Sequence, residues 1–170
     1  TGSCNNDEWT YNPGNRTEES LQGVVRAFSQ LCDVAADCGS TVAIEGCAGH
    51  VCWDVDTLAR ARKMIGKKTR VVFDLYNFMD TDNQGDYLKI LDKGLDAFAG
   101  DIQVFHMKDC FLRNGKKPVQ TPFGKGGLDL HAILRRIKAY DSNAALVLEE
   151  TTGDDIEHAV KTIRNIWESV

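Results

Sequence analysis

Thr41-Val-Ala-Ile-Glu45, Arg70-Val-Val-Phe-Asp74, Ile102-Gln-Val-Phe-His106 and Ala145-Leu-Val-Leu-Glu149 are four short apolar runs, and each ends in a side chain able to bind a metal ion. Runs of this length, rich in Val and Ile and continuously apolar, read as buried strands of a parallel sheet. A stretch with helical periodicity follows each of them, and strand–helix alternation implies a parallel sheet with helices packed on it. In a barrel of such units the carboxyl ends of the strands converge on one face, where active sites lie. Two Glu, one Asp and one His gathered there would make an oxygen-rich, mostly hard site for a divalent cation. The fourfold repetition of strand and ligand, not any one residue, points to such a site.

The intervening segments carry helix signals. Thr17 can cap a helix whose apolar set is Leu21, Val24, Val25, Phe28, Leu31 and Ala35, stopped at Gly39. Asp54 or Asp56 opens a second helix through Ile65. A third covers about 84–98, with Tyr87, Leu88, Leu91, Leu95 and Phe98 on one face. Strand 102–107 leads into a long polar loop, 108–127, and Asp129 caps a fourth helix with Leu130, Ile133, Leu134 and Ile137 inward. After a strand over 144–149, Asp154 or Asp155 caps a last helix through Trp167. The whole of 1–170 reads as a single domain, α/β in class. Four strand–helix units are half of an eight-unit barrel, which typically takes about 250 residues. An N-terminal half is therefore expected to be missing from the chain.

A net charge of −5 argues against a nucleic-acid surface, which needs a basic stripe. No apolar run reaches the length of a membrane span, so no membrane partner is expected. Without a visible export signal, Cys4, Cys32, Cys38, Cys47, Cys52 and Cys110 read as reduced thiols of a cytoplasmic protein. Cys47-Ala-Gly-His50-Val-Cys52 lacks a second ligand pair at zinc-finger spacing and reads as a loop after a strand.

The order of motifs resembles the xylose-isomerase-like superfamily of TIM barrels, the sugar phosphate isomerase/epimerase group, over its C-terminal half. Thr1-Gly2-Ser3 looks like the end of that family's fourth strand and Ala43-Ile44-Glu45 its fifth. Phe73-Asp74-Leu75-Tyr76-Asn77 looks like the sixth, and Phe105-His106-Met107-Lys108-Asp109 the seventh. Pro122-Phe-Gly124-Lys-Gly126-Gly-Leu-Asp129 resembles the start of the seventh helix, and Leu146-Val-Leu-Glu149 the eighth strand. The fold implied is the C-terminal half of a (β/α)8 barrel, from the end of strand 4 through helix 8. The resemblance implies one divalent metal ion, Mn, Co, Mg or Zn, held by Glu45, Asp74, His106 and Glu149. It implies a carbohydrate substrate, polarised by the metal, with Glu45 and Glu149 as the acid–base pair of an epimerisation or aldose–ketose isomerisation through an enediolate-type intermediate.

Around these, His50, Asn77, Lys108, Asp109 and Arg113 are candidates for substrate binding. Each has a plainer reading, as a surface ion pair or solvated loop residue. Asn77 stands where many relatives carry a His. Strand alternation sends Glu149 and Glu150 to opposite sides, so one of them should face the site, and the resemblance selects Glu149. Gly124-Lys-Gly126-Gly could cradle an anion or be a flexible loop. Trp9 could wall a sugar face. His131 and His158, on helices, read as surface residues. Competing functions are an inosose-type dehydratase, a non-catalytic metal-binding half barrel and, less favoured with four His in all, an apurinic endonuclease. A half barrel also leaves the outer strands 41–45 and 144–149 unpaired and an apolar sheet face open, with Val42, Ile44, Val72, Val104 and Val147 among its candidates. That predicts a homodimer.

Overall fold

The structure, a computed structural model, describes residues 1–5, 10–66 and 68–170. Trp9 lies outside the described residues. Among the described residues, five α-helices alternate with the strands of a four-stranded parallel sheet. Helix α1 is Glu18–Asp37, strand β1 Val42–Glu45, α2 Val55–Ile65, β2 Thr69–Asp74 and α3 Tyr87–Ala97. Then come β3 Ile102–Met107, a small hairpin of β4 Asp109–Phe111 and β5 Val119–Thr121, α4 Leu130–Tyr140, β6 Leu146–Leu148 and α5 Asp155–Ser169. The sheet order is β1-β2-β3-β6, every neighbour parallel, so β1 and β6 are its outer strands.

The caps form where the sequence places them. Thr17 accepts a hydrogen bond from the Ser20 N–H at 3.2 Å, Asp54 from Thr57 at 2.8 Å and Asp129 from Ala132 at 2.9 Å. Each satisfies one of the orphan donors of a helix start. Gly39, at φ 67°, ends α1, with the Ser40 N–H reaching Ala35 O and the Gly39 N–H reaching Ala36 O. At α5 the signal is weaker, since Asp154 makes no side-chain cap.

One sheet face lies under the helices. Ile44, Val71, Phe73, Phe105 and Met107 are buried there against Leu58, Leu91, Leu134 and Ile137. Gly94 on α3 lies so close to Phe73 that a Cβ would stand 2.1 Å from the ring. The opposite face carries Val72, Val104 and Val147, the last 45% exposed. Here β1 corrects the expected membership. Ile44 is fully buried under the helices and Val42 shares its side, so Ala43 is the residue that β1 turns to the open face.

The segment 108–127 is not one long loop. Its ends pair as the β4–β5 hairpin, with Asp109 opposite Thr121 and Phe111 opposite Val119. The sequence gives these three-residue strands too little alternation to be recognised.

Candidate metal centre

Register brings the four strand ends together. Glu45 lies beside Val72, Asp74 beside His106, and His106 beside Val147. Glu149 follows two residues after Val147 and so returns to the same side. One donor atom from each of Glu45, Asp74, His106 and Glu149 lies within 4.8 Å of the other three. Among the described residues no other group of His, Cys, Asp and Glu is so arranged. Two donors on one small divalent ion, at about 2.0–2.2 Å each, stand at most about 4.4 Å apart, so shifts of a few tenths of an ångström close the cluster on an ion.

The internal contacts show what the cluster wants. His106 Nδ1 is 2.7 Å from Glu149 Oε2 and 3.2 Å from Glu45 Oε1. Lys108 Nζ is 2.9 Å from Asp74 Oδ2 and 3.3 Å from Glu149 Oε2. These are ion-pair distances, but Asp74 Oδ2, His106 Nδ1 and Glu149 Oε2 are all buried without a well-directed hydrogen bond. Buried polar atoms normally have one. Three donor atoms thus converge with hydrogen-bonding capacity to spare. Three carboxylates gather around one ammonium, an acidic surplus that a divalent ion would offset. Donor set, spacing and charge all fit such a cation.

Burial pushes the Asp74 carboxyl up to about 6, with Lys108 pulling it partly back. Burial also works to lower the Lys108 pKa, but the charges of Asp74 and Glu149 outweigh it and hold the ammonium above its ordinary value. Asn77 braces two ligands. Its backbone N–H donates to Asp74 Oδ1 at 3.2 Å and its side-chain amide to Glu45 Oε1 at 3.1 Å. Lys108 donates in turn to Asn77 Oδ1 at 3.3 Å.

A cavity of about 370 Å³ opens over the cluster, walled by Glu45, His50, Asn77, Lys108 and Glu149 with Tyr76, Gln120 and Glu150. Three of the five candidate substrate residues therefore line it. Asp109 and Arg113 do not. Asp109 is buried and accepts hydrogen bonds from the backbone N–H groups of Cys110, Gly126 and Leu128. The glycine-rich segment is a cradle for an anion, but the anion is the protein's own. A Cβ at Gly126 would stand 2.2 Å from Asp109 Oδ1. Arg113 is exposed, and its backbone is held by Gln84, which receives its N–H at 2.7 Å.

Both Glu149 and Glu150 reach the cavity, contrary to the alternation argument. β6 ends at Leu148 and Glu150 takes a positive φ of 53°, so the two-residue period no longer applies. Tyr76 and Gln120 carry no sequence signal for this role, and Glu150 is the alternative that the resemblance passes over for Glu149. The turn after β2 brings Tyr76 to the cavity, β5 brings Gln120 and the turn after β6 brings Glu150.

The family model for the xylose isomerase-like TIM barrel matches residues 8–166, and the chain belongs to this family. None of the curated proteins matches it in sequence. Among solved structures, it is similar to a xylose isomerase domain protein from Planctomyces limnophilus, with TM-score 0.73 and 19% identity over 91% of this chain and 56% of the other. It is also similar to a xylose isomerase-like TIM barrel protein from Mycobacterium smegmatis in complex with magnesium, with TM-score 0.70 and 14% identity over 90% and 52%. A third is a D-psicose 3-epimerase determined in the presence of D-fructose, with TM-score 0.62 and 16% identity over 95% and 59%. At such identities the likeness is one of fold. The chain spans a little over half the length of these structures.

Proposed function

We propose that this chain carries the metal-binding half of a divalent-metal-dependent isomerase or epimerase acting on a sugar, sugar phosphate or cyclitol through an enediolate-type intermediate. The observation that carries this reading is the convergence of Glu45, Asp74, His106 and Glu149 at the carboxyl ends of four adjacent parallel strands. Those four side chains would hold the ion, which would act as a Lewis acid on a substrate carbonyl. The protein's own groups do the rest. Glu45 and Glu149 come from the two outer strands and so approach a bound substrate from opposite sides, one removing a proton from carbon and the other returning it. Asn77 fixes the Glu45 carboxylate, and Lys108 holds Asp74 and Glu149 in place. His50, Asn77 and Lys108 offer hydrogen-bonding groups to substrate hydroxyls from the cavity wall.

The reading has a two-part test. Metal-stripped protein titrated with Mn, Co, Mg and Zn should gain about 2.7 kcal/mol at roughly a hundredfold excess over Kd, a rise in Tm of about 5–10 °C for a domain of this size. Asp74→Asn should blunt that rise. Ketoses incubated with the loaded protein in deuterated solvent should exchange the proton next to the carbonyl, and Glu45→Gln or Glu149→Gln should abolish the exchange. No thermal shift with any of the four metals would refute the metal site. A shift without exchange would leave a metal-binding protein that is not a proton-transfer enzyme.

A further inference from the structure

A second cavity of about 280 Å³ adjoins the first and shares Cys47, Tyr76 and Asn77 with it as walls. Its remaining lining differs in chemistry. Arg16 and Lys117 stand among Tyr11, Met79 and Pro118. The metal lobe is dominated by carboxylates, whereas this one is cationic and partly aromatic. The single acid in its lining is Asp80, whose Oδ1 accepts the backbone N–H groups of Asp82 at 2.8 Å and Asn83 at 2.9 Å. That carboxylate is committed in part to its own turn.

Arg16 is held rather than free. Its guanidinium carbon lies 3.9 Å from the centroid of the Trp53 ring and 5.6 Å from that of Tyr11, and its Nη2 donates to Ala48 O at 3.1 Å. Stacking fixes the plane of the guanidinium and leaves edge N–H groups for an acceptor with two oxygens. Among the described residues neither Arg16 nor Lys117 forms an ion pair. Asp54 and Asp80 lie close enough to act on Arg16 electrostatically, but neither pairs with it, and a cation already immobilised loses little entropy on taking an anion.

The two lobes share a hydrogen-bonded wall. Ala48, which receives the Arg16 hydrogen bond, donates its own N–H to Asn77 O at 2.7 Å, and Asn77 holds Glu45. An anion on Arg16 is thus separated from the metal cluster by two residues of hydrogen-bonded structure. Each lobe alone sits near the lower limit of the roughly 300–1,000 Å³ that ligand pockets occupy, and the two together fall inside it.

We infer that the second lobe binds an anionic substituent, a phosphate ester or a carboxylate, carried by the end of the substrate remote from the metal, with Arg16 as the main contact and Lys117 as the second. This rests on the reading that the metal cluster holds the sugar, and it narrows the substrate class to charged sugars.

The lobe is tested apart from the metal. Metal-stripped protein is titrated with inorganic phosphate and, separately, with acetate, followed by ³¹P line width and calorimetry. Saturable binding of one or both is expected, and the stronger one identifies the substituent. Arg16→Gln should weaken it about tenfold or more, since a charge-assisted pair is lost. Arg16 and Lys117 are both exposed, but only Arg16 is fixed by Trp53 and Ala48, so Lys117→Gln should weaken it less, and Arg16→Lys should retain part of the affinity. The Mn affinity of all three variants should match the parent. In Mn-loaded protein, fructose 6-phosphate should bind at least about tenfold more tightly than fructose, and Arg16→Gln should erase the difference. Failure of both anions to bind, or equal affinity in the parent, Arg16→Gln and Lys117→Gln, overturns the proposal. If anions bind through Arg16 but Mn does not bind at all, the anion lobe stands and the sugar–metal reading falls.

Discussion

Lys108 is the residue on which the metal-free centre depends. Its side chain is 5% exposed, and its partner Asp74 is fully buried. Removing one member of a buried pair leaves the other charge uncompensated, which typically costs about 3–5 kcal/mol. Lys108→Met should therefore destabilise the metal-free protein by about that amount near neutral pH, measured by urea unfolding. The cost should depend on pH with a definite sign. Asp74 already has its carboxyl raised to about 6 by burial, and loss of Lys108 raises it further above the unfolded value. Between the two values the folded state holds a proton that the unfolded state has lost, so the stability of the variant falls as pH rises through that window. Divalent metal should restore part of the loss by standing in for the ammonium. A variant as stable as its parent across that range would show that the Lys108–Asp74 pair contributes nothing.

The cysteines give a second residue-scale expectation. Burial pushes the Cys52 thiol up to about 11 and the Cys110 thiol up to about 12, whereas Cys4 and Cys38 are exposed. Thiolate is the reactive form. Iodoacetamide at pH 8 should label Cys4 and Cys38 first, with Cys52 and Cys110 labelled only on unfolding, as read by peptide mass mapping. Early labelling of Cys110 would mean that the hairpin opens readily.

At the scale of elements, α3 lies on the sheet by virtue of a missing side chain. Gly94 allows the helix to meet the Phe73 ring directly, and Phe73 in turn packs near Phe78, Phe98 and Phe105, with ring centroids 5.3, 6.3 and 6.2 Å away. Glycine in a helix interior costs about 1 kcal/mol relative to alanine. Propensity alone therefore favours Gly94→Ala. The clash with Phe73 opposes it, and overpacking costs about 1–3 kcal/mol. Since the ring is enclosed by other aromatics, packing should win, and Gly94→Ala should lower Tm by a few degrees. A higher Tm would show that the helix can lift without loss. The hairpin β4–β5 follows a similar logic. The Asp109 carboxylate and the glycine-rich turn are one unit, because Asp109 supplies the acceptors that the turn's N–H groups need.

On the scale of the whole molecule, the described helices pack on one side of the sheet. The other face carries half-buried Val72 and Val104 and exposed Val147, and β1 and β6 are both edge strands. Among the described residues no helix is long and apolar enough to cross a membrane. We propose that this chain by itself self-associates, most simply as a two-fold dimer in which these sheet faces or edges meet. Light scattering on dilute protein should give twice the chain mass. A stable, folded monomer would overturn the dimer.

The residues show which features were legible in the sequence. Val, Ile and Phe in runs of strand length, with Thr17, Asp54 and Asp129 ahead of amphipathic stretches, are local signals, and they specify β1, β2, β3, β6 and the helices in order. The four ligand candidates were legible for the same reason. A parallel sheet puts every strand's carboxyl end on one side, so position in the run already implies position in space. Other features depend on contacts between residues far apart in the chain. The burial of Asp109 in a turn 17 residues away, the positive φ of Glu150 and the stacking of Arg16 on Trp53 follow from how loops of different units meet. A one-dimensional period carries no information on those meetings. The sequence by itself determined the alternating α/β architecture and the strand-end positions of the four candidate ligands, because both follow from the order of strand-like and helix-like runs, while the choice of Glu149 over Glu150 came from the family resemblance. The tertiary structure alone decided which polar groups share a cavity, because that depends on loop geometry and on which neighbours remain without partners.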